Sequence, residues 1–195
     1  MTDEQRTNRK AGCACLGKGM LAAGLIALAV LWLNQDLFMT DQGCGHSKLR
    51  VRGIVMDLKI ALEVYKADYN HFPLPASSAP NLDLSLRSRG PILPALLGEE
   101  TGGLNPKKIK YMDLPMARNR KFGLWQDDAE WVLSDLWGEP FYIILDTNKD
   151  DMVANPEVGS EHLPAMLPVE VIIYSSGPDR DPKTWRDNVC SWRPH

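Results

Sequence analysis

The sequence predicts an α+β domain behind an N-terminal membrane anchor, and three observations support this prediction. One uncharged apolar run occupies residues 19–33, an amphipathic helical pattern covers residues 48–70, and two compact runs rich in aromatic and β-branched residues come late in the chain. A chain that keeps its helix and its strands apart in this way usually packs an antiparallel sheet against the helix. The length of 195 residues fits one such domain with an appendage.

The apolar run at residues 19–33 has the character of a short transmembrane helix. It contains no charged or polar side chain, and as a helix it would be about 22 Å long. A full span usually needs about 20 residues, but Trp32 can sit at one interface and Lys18 can extend to the other. A cleaved signal peptide is the alternative, yet no small-residue cleavage site follows Leu33.

Basic residues before the run orient the anchor. Arg6, Arg9 and Lys10 favour a cytoplasmic N-terminus. We therefore expect a cytoplasmic segment at residues 1–18, an anchor at 19–39 and an extracytoplasmic domain at 47–195.

The net charge of the chain is −3, so the sequence does not show the basic surface that is expected of a nucleic-acid-binding domain.

The four cysteines lie on the two sides of this anchor. Cys13 and Cys15 precede it and would face a reducing cytoplasm, as ordinary thiols or as ligands of a soft metal. Cys44 and Cys190 follow it and would face an oxidising space, where they can form a disulfide, although cysteine spacing alone does not establish a pairing.

The helix of the domain is predicted from its buried face. Apolar residues recur with helical spacing at Val51, Ile54, Leu58, Leu62 and Tyr65. A breaker stretch with two glycines precedes this pattern at residues 40–46, and Asn70 and Pro73 end it.

The remaining predicted elements are short. The composition predicts strands at residues 141–145 and 169–174. A short apolar helix is expected at residues 92–97, after a proline-rich region.

Three segments resemble the major pseudopilins of type II secretion systems. Residues 56–73, MDLKIALEVYKADYNHFP, are similar to the helix end of that family. Residues 136–141, LWGEPF, resemble its D-P-W-G-x-P-Y turn, and residues 174–179 with 187–192 resemble its last strand and C-terminal loop. The resemblance implies a pilin-like fold, in which a long N-terminal helix packs on a small antiparallel sheet.

The resemblance also implies a function. The chain would be a non-enzymatic structural subunit of a type II secretion or type IV pilus-like machine for protein transport. It would be a single-pass protein of the bacterial inner membrane with its head in the periplasm, and its helix would pack against other pseudopilin-like subunits or further copies of itself. The sequence carries no recognised catalytic motif.

The N-terminus departs from the family pattern. Lys18 and Gly19 keep the basic residue and the glycine of a prepilin peptidase site, so a cut would fall between Gly19 and Met20. Gly24 stands where the family has glutamate. This departure favours an alternative, a membrane-tethered binding domain that does not polymerise.

Two loops are candidate calcium sites. In the C-terminal loop the resemblance implies calcium held by Asp179, Asp187 and Asn188. Oxygen-rich loops of this kind suit a hard cation. Arg180 and Arg186 could instead pair with these carboxylates.

The second loop has the spacing of a calcium-binding loop. Asp146, Asn148 and Asp150 occupy its first, third and fifth places, and Glu157 occupies the twelfth. Asp151 stands where a glycine is usual. A solvated hairpin loop without a metal is the alternative.

Overall fold

A long helix begins the part of the chain that the structure describes. The structure is a computed structural model that describes residues 45–75, 82–157 and 163–193. Helix α1 covers residues 45–69, so the start that we expected at Lys48 is wrong, because Gly45 and His46 are already helical. A glycine costs only about 1 kcal/mol in a helix, which does not force a break. Asn70 ends the helix with a φ of 60°, and its N–H donates to the Lys66 carbonyl at 2.7 Å.

Eight short strands and one further helix follow. They are β1 Leu84–Arg87, α2 Ile92–Leu96, β2 Gly123–Asp127, β3 Glu130–Ser134, β4 Tyr142–Leu145, β5 Val153–Ala154, β6 Met166–Leu167, β7 Val171–Ser175 and β8 Val189–Cys190. The main sheet has the order β1-β4-β7-β8, and β2–β3 and β5–β6 form separate pairs. All of the pairings between these strands are antiparallel. The domain is therefore α+β, as predicted.

The main sheet is covered on both faces. Ile143, Leu145 and Ile173 are in the cluster that contains the buried face of α1. Ile172 and Tyr174 belong to a second cluster on the other face. Strand β7 is buried along its whole length, because it lies inside the sheet between these two clusters.

Six of these strands were not predicted from the sequence: β1, β2, β3, β5, β6 and β8. Strand β1 lies inside the proline-rich region at residues 73–91, where we predicted no strand. The β2–β3 hairpin turns at Asp128 and Ala129, with a φ of 52° at Asp128. Such turns usually carry glycine, so the sequence signal for a hairpin is weak here.

The chain divides into two compact units, Met1–His46 and Ser47–His195. The predicted cytoplasmic segment at residues 1–18 and the anchor at residues 19–39 lie outside the described residues. Within the described ranges, no helix has both the length and the apolar character needed to cross a membrane.

Candidate functional site

The C-terminal loop connects β7 to β8, and its two ends touch at Gly177. This glycine has a φ of 71°, and a Cβ added there would lie 2.7 Å from the Asp187 carbonyl oxygen. No other residue fits without displacing backbone. The contact brings Ser176 next to Asp187 and Asn188.

Three side-chain oxygens at this contact have no hydrogen-bond partner among the described residues. They are Oδ1 of Asp187, Oδ1 of Asn188 and Oγ of Ser176, and all three atoms are buried. A buried polar atom without a partner costs about 1–3 kcal/mol. Carboxylate, amide and hydroxyl oxygens are also ligands that suit calcium. The chemistry of these oxygens suits a hard cation, and Ser176 is a candidate ligand that the sequence did not predict.

Asn188 and Asp179 make further hydrogen bonds within this loop. Asn188 is oriented by its amide, whose Nδ2 donates to the Pro182 carbonyl at 2.9 Å. Asp179 is exposed, and its Oδ1 accepts the Asp181 N–H at 2.9 Å. Neither Arg180 nor Arg186 forms an ion pair within the described parts of the chain. The arginine-paired alternative is thus not the arrangement of the folded loop.

The second candidate loop is closed by its own hydrogen bonds. Asp146 is only 1% exposed. Its Oδ1 accepts the Lys149 N–H at 2.6 Å, and its Oδ2 accepts the Asp151 N–H at 3.1 Å. Asn148 and Asp150 hydrogen-bond to each other through the Asn148 amide at 3.1 Å. These bonds make a self-contained turn.

Glu157 does not join this loop. Its Oε2 accepts the Arg193 Nε–H at 3.0 Å, and the pair is reinforced by a second contact to the Arg193 guanidinium. Arg193 also donates to the Trp185 carbonyl at 2.6 Å. Glu157 therefore holds the C-terminal segment against the domain.

Residues from elsewhere complete the acidic cluster around Asp146. Oxygens of Asp83, Asp146 and Asp150 lie within 4.8 Å of one another, and a second such group joins Asp146 to Asp151 and Glu170. Burial and the neighbouring carboxylates raise the pKa of Asp83. Asp83 and Glu170 were missed because they lie outside the loop in sequence.

A buried carboxylate organises the turn that resembles the pseudopilin D-P-W-G motif. Oδ1 of Asp135 accepts the N–H groups of Trp137 and Glu139 at 2.9 and 3.0 Å. Its Oδ2 accepts the Ser175 hydroxyl at 2.5 Å. Asp135 thus connects this turn to the end of β7. The pattern of the motif pointed to the turn, but not to the bond with Ser175.

Helix α1 presents an apolar stripe to solvent. Leu49, Ile60 and Val64 are 61%, 52% and 45% exposed. Gly53 lies on the same side, and a Cβ added there would meet nothing within 4 Å. We call Leu49, Gly53, Met56, Ile60, Val64 and Ala67 the outer stripe.

The outer stripe lies opposite the core face of the helix. At about 100° per residue, its members centre on one side of α1. The buried residues Val51, Leu58 and Leu62 centre on the other side. Charged residues such as Asp57 and Lys59 flank the stripe. Helix α1 therefore has one apolar face in the core and a second one that no described residue covers.

Cys190 is only 2% exposed and has no disulfide partner among the described residues. Burial raises its pKa to about 12. Cys44, its predicted disulfide partner, lies outside the described residues, so the pairing stays a prediction. Cys13 and Cys15 also lie outside the described residues, as do the processing residues Gly19 and Met20 and the departure from the family pattern at Gly24.

Comparison with known proteins finds no matching family model, no matching curated protein and no matching solved structure.

Proposed function

We propose that the chain is a membrane-anchored, pseudopilin-like structural subunit of a type II secretion or type IV pilus-like envelope machine. It has a pilin-like fold and catalyses no reaction. The observation that carries the proposal is the outer stripe of α1. An apolar helix face that the described residues leave uncovered is the surface expected of a subunit that packs helix against helix.

The details of the stripe suit such packing. Gly53 and Ala67 allow close approach of a second helix, and Ile60 and Val64 supply apolar area. The flanking charges keep the stripe narrow, so it favours one elongated partner over a broad globular surface. The occupant is the equivalent helix of another subunit, of the same chain or of a similar one.

Calcium stabilises the head in this proposal. Asp187, Asn188 and Ser176 would hold the ion, because their buried oxygens lack partners. Exposed Asp179 could close the site from the solvent side. The ion would supply polar contacts to a loop whose one large apolar side chain is Trp185.

The anchor places this subunit in the inner membrane, with its domain in the periplasm. Processing between Gly19 and Met20 would expose a new N-terminus. Intact-mass measurement of the mature chain distinguishes a processed subunit from one with a plain anchor.

Charge placed on the outer stripe tests the packing. In membranes, a chemical cross-linker should join wild-type chains to one another or to similar subunits. Ile60→Asp and Val64→Asp should each lose most of these products, because a carboxylate would be buried between helices. Leu82→Asp is the matched control, since Leu82 is 72% exposed but is not part of α1.

Equal cross-linking of the stripe variants and the wild type would contradict helix packing. Loss of the cross-linked products in all three variants, including Leu82→Asp, would indicate a general effect of added charge.

A second candidate is a membrane-tethered binding domain that does not polymerise. Gly24, in place of the family's glutamate, favours it. For this second candidate, the cross-linker should not join identical chains. It should join the chain to one different protein, and Ile60→Asp and Val64→Asp should remove that product.

A further inference from the structure

Strand β1 has one open edge. It lies at the end of the main sheet, and β4 is the one described strand that pairs with it. In an antiparallel ladder, alternate residues direct their N–H and C=O groups toward the partner strand, and the residues between them direct these groups away. The Ser88 N–H donates to the Phe141 carbonyl at 2.9 Å, in the register of the β1–β4 ladder. The backbone groups of Ser85 and the Arg87 N–H therefore face away from β4, and they form no hydrogen bond to another described residue.

An apolar groove lies beside β1. Its volume is about 310 Å³, and Leu84 and Leu86 line it from the strand. Pro73, Leu74 and Ile92 contribute to its other walls. Unpaired N–H and C=O groups along a strand are a template for a further extended chain. Because the groove leaves room beside β1, an added strand can bring apolar side chains against the two leucines.

The sequence of this edge is complementary to itself. Residues 83–87 read Asp-Leu-Ser-Leu-Arg. When two copies run antiparallel with Ser85 opposite Ser85, each leucine lies opposite a leucine, and each Asp83 lies opposite the Arg87 of the other copy. Apolar pairs and opposite charges that face each other across two strands stabilise a sheet. In this register the two Ser85 residues also exchange N–H···O=C hydrogen bonds through their outward-facing backbone groups.

Both charged residues of this register have an unused polar atom. Oδ1 of Asp83 and Nε of Arg87 are buried without a hydrogen-bond partner in the described parts of the chain. Asp83 belongs to the acidic cluster around Asp146, and no described cation forms an ion pair with it. The Arg87 guanidinium donates to the Pro140 carbonyl at 2.7 Å and reaches Glu139 only at 3.5 Å. Both side chains are only partly buried, so a change of rotamer can direct these atoms to the edge.

We propose that β1 pairs antiparallel with β1 of a second copy of this chain, about a twofold axis at Ser85. A twofold contact uses the same surface on both subunits, which requires a self-complementary edge of this kind. The two main sheets then continue into each other. The contact is short, so the association is weak and reversible. It does not involve the outer stripe of α1 and is therefore independent of the proposed function.

Charges placed at the axis test the pairing. Ser85→Lys and Ser85→Glu should each weaken self-association by about fivefold or more, because each puts like charges opposite each other. An equal mixture of the two variants should associate again, since lysine then faces glutamate. Sedimentation velocity of the full chain in mild detergent, over a series of protein concentrations, measures the effect. Ser85 is exposed, so circular dichroism should show that both variants fold as the wild type does.

Ile60→Asp is the matched control for the other surface. Ile60 lies on the outer stripe, and this variant should self-associate through β1 as the wild type does. If Ile60→Asp abolishes association while both Ser85 variants retain it, the contact is made by the outer stripe. That result would overturn the pairing of β1 and support the proposed function.

A cysteine at the axis tests the register. In a chain whose Cys13, Cys15 and Cys44 are replaced by serine, Ser85→Cys should be joined into dimers by a short bifunctional maleimide. Leu82→Cys is the control, because Leu82 is 72% exposed but lies three residues from the axis. Its two copies would be about 20 Å apart in this register, so the same reagent should join far fewer chains.

Three results would overturn the proposal. One is a wild-type chain that stays monomeric at every concentration. Another is equal cross-linking of Ser85→Cys and Leu82→Cys. The third is loss of association in both Ser85 charge variants without recovery in their mixture, because the two Ser85 residues would then not face each other.

Discussion

Asn105 shows how one buried side chain can fix a long connection. Its Nδ2 donates to the carbonyls of Ala95 and Ile109, both at 2.7 Å. Its Oδ1 accepts the Tyr69 hydroxyl at 2.8 Å and the Ile109 N–H at 3.0 Å. One amide thus joins α1, the end of α2 and the loop that follows. Every polar atom of this side chain is used, so its burial costs little.

Asp135 plays a similar part with a side chain that can carry charge. Burial opposes its ionisation, while hydrogen bonds from Ser175 and from the backbone favour it. Burial is the larger effect and raises the pKa of Asp135. The folded protein therefore keeps this proton at a pH where the unfolded chain has released it. The resulting stability is complete below the unfolded pKa and is lost as the pH rises through the folded one.

We predict that Asp135→Asn makes stability less dependent on pH. The amide has the same shape and can still accept the Trp137 and Glu139 N–H groups, but it does not titrate. Urea unfolding of both proteins at a series of pH values from about 4 upward measures the effect. The wild type should lose stability relative to the variant as the pH rises. A constant difference between the two proteins would contradict a raised pKa.

Helix α1 has two apolar faces with different roles. Leu58, Leu62 and Tyr65 are fully buried against the sheet. Ile60 and Val64 lie on the outer stripe and are largely exposed. The sequence pattern identified the first face because its spacing is regular. Stability should therefore depend on one face and association on the other.

Paired truncations separate these roles. Leu62→Ala should lower the free energy of unfolding by about 2–5 kcal/mol, because it leaves a cavity in the core. Ile60→Ala should change it by less than about 0.5 kcal/mol, since its side chain is already exposed. Chemical denaturation of dilute protein measures both changes. A small effect of Leu62→Ala would mean that this face is not buried in solution.

The fold of the domain is held together by its connecting loops as well as by its short strands. Long connections separate α2 from β2 and β7 from β8. Asn105 and Gly177 hold these two connections, and Asp135 holds the turn between β3 and β4, through buried hydrogen bonds or close backbone contact. A cation in the C-terminal loop would add its stabilisation to the entire domain, because β8 completes the main sheet.

We predict that calcium raises the melting temperature of the protein and that a chelator lowers it. At a hundredfold excess over Kd the ion stabilises the folded state by ~2.7 kcal/mol. For a chain of this size that corresponds to roughly 5–10 °C. Asp187→Ala should remove most of the shift in a thermal melt followed by circular dichroism.

Asp146→Ala is the comparison for the acidic cluster. It should lower stability, because Asp146 accepts two backbone N–H groups, but it should leave the calcium shift intact. If Asp146→Ala alone removes the shift, the ion binds at the other loop. If calcium changes nothing in the wild type, the C-terminal oxygens are satisfied in another way.

Local patterns were enough to predict the α+β class, the core face of α1, the cap at Asn70 and α2 to within one residue. These features depend on helical periodicity, on a cap residue and on short apolar runs, which can be read within a few turns of chain. The strands near residues 141–145 and 169–174 were found for the same reason, with bounds shifted by one or two residues. The candidate residues Asp187 and Asn188 came from the resemblance of a loop.

Contacts between distant segments decided the features that local sequence patterns did not predict. Ser176 joins Asp187 only because the loop closes at Gly177, and Asp83 reaches Asp146 only because β1 pairs with β4. Glu157 has the spacing of a calcium ligand, yet it pairs with Arg193, 36 residues later. Arg50 on α1 lies 4.2 Å from the centre of the Phe122 ring, although 72 residues separate the two in sequence. The spacing of residues along a chain does not specify these long-range contacts, because they depend on how the packed elements orient each side chain.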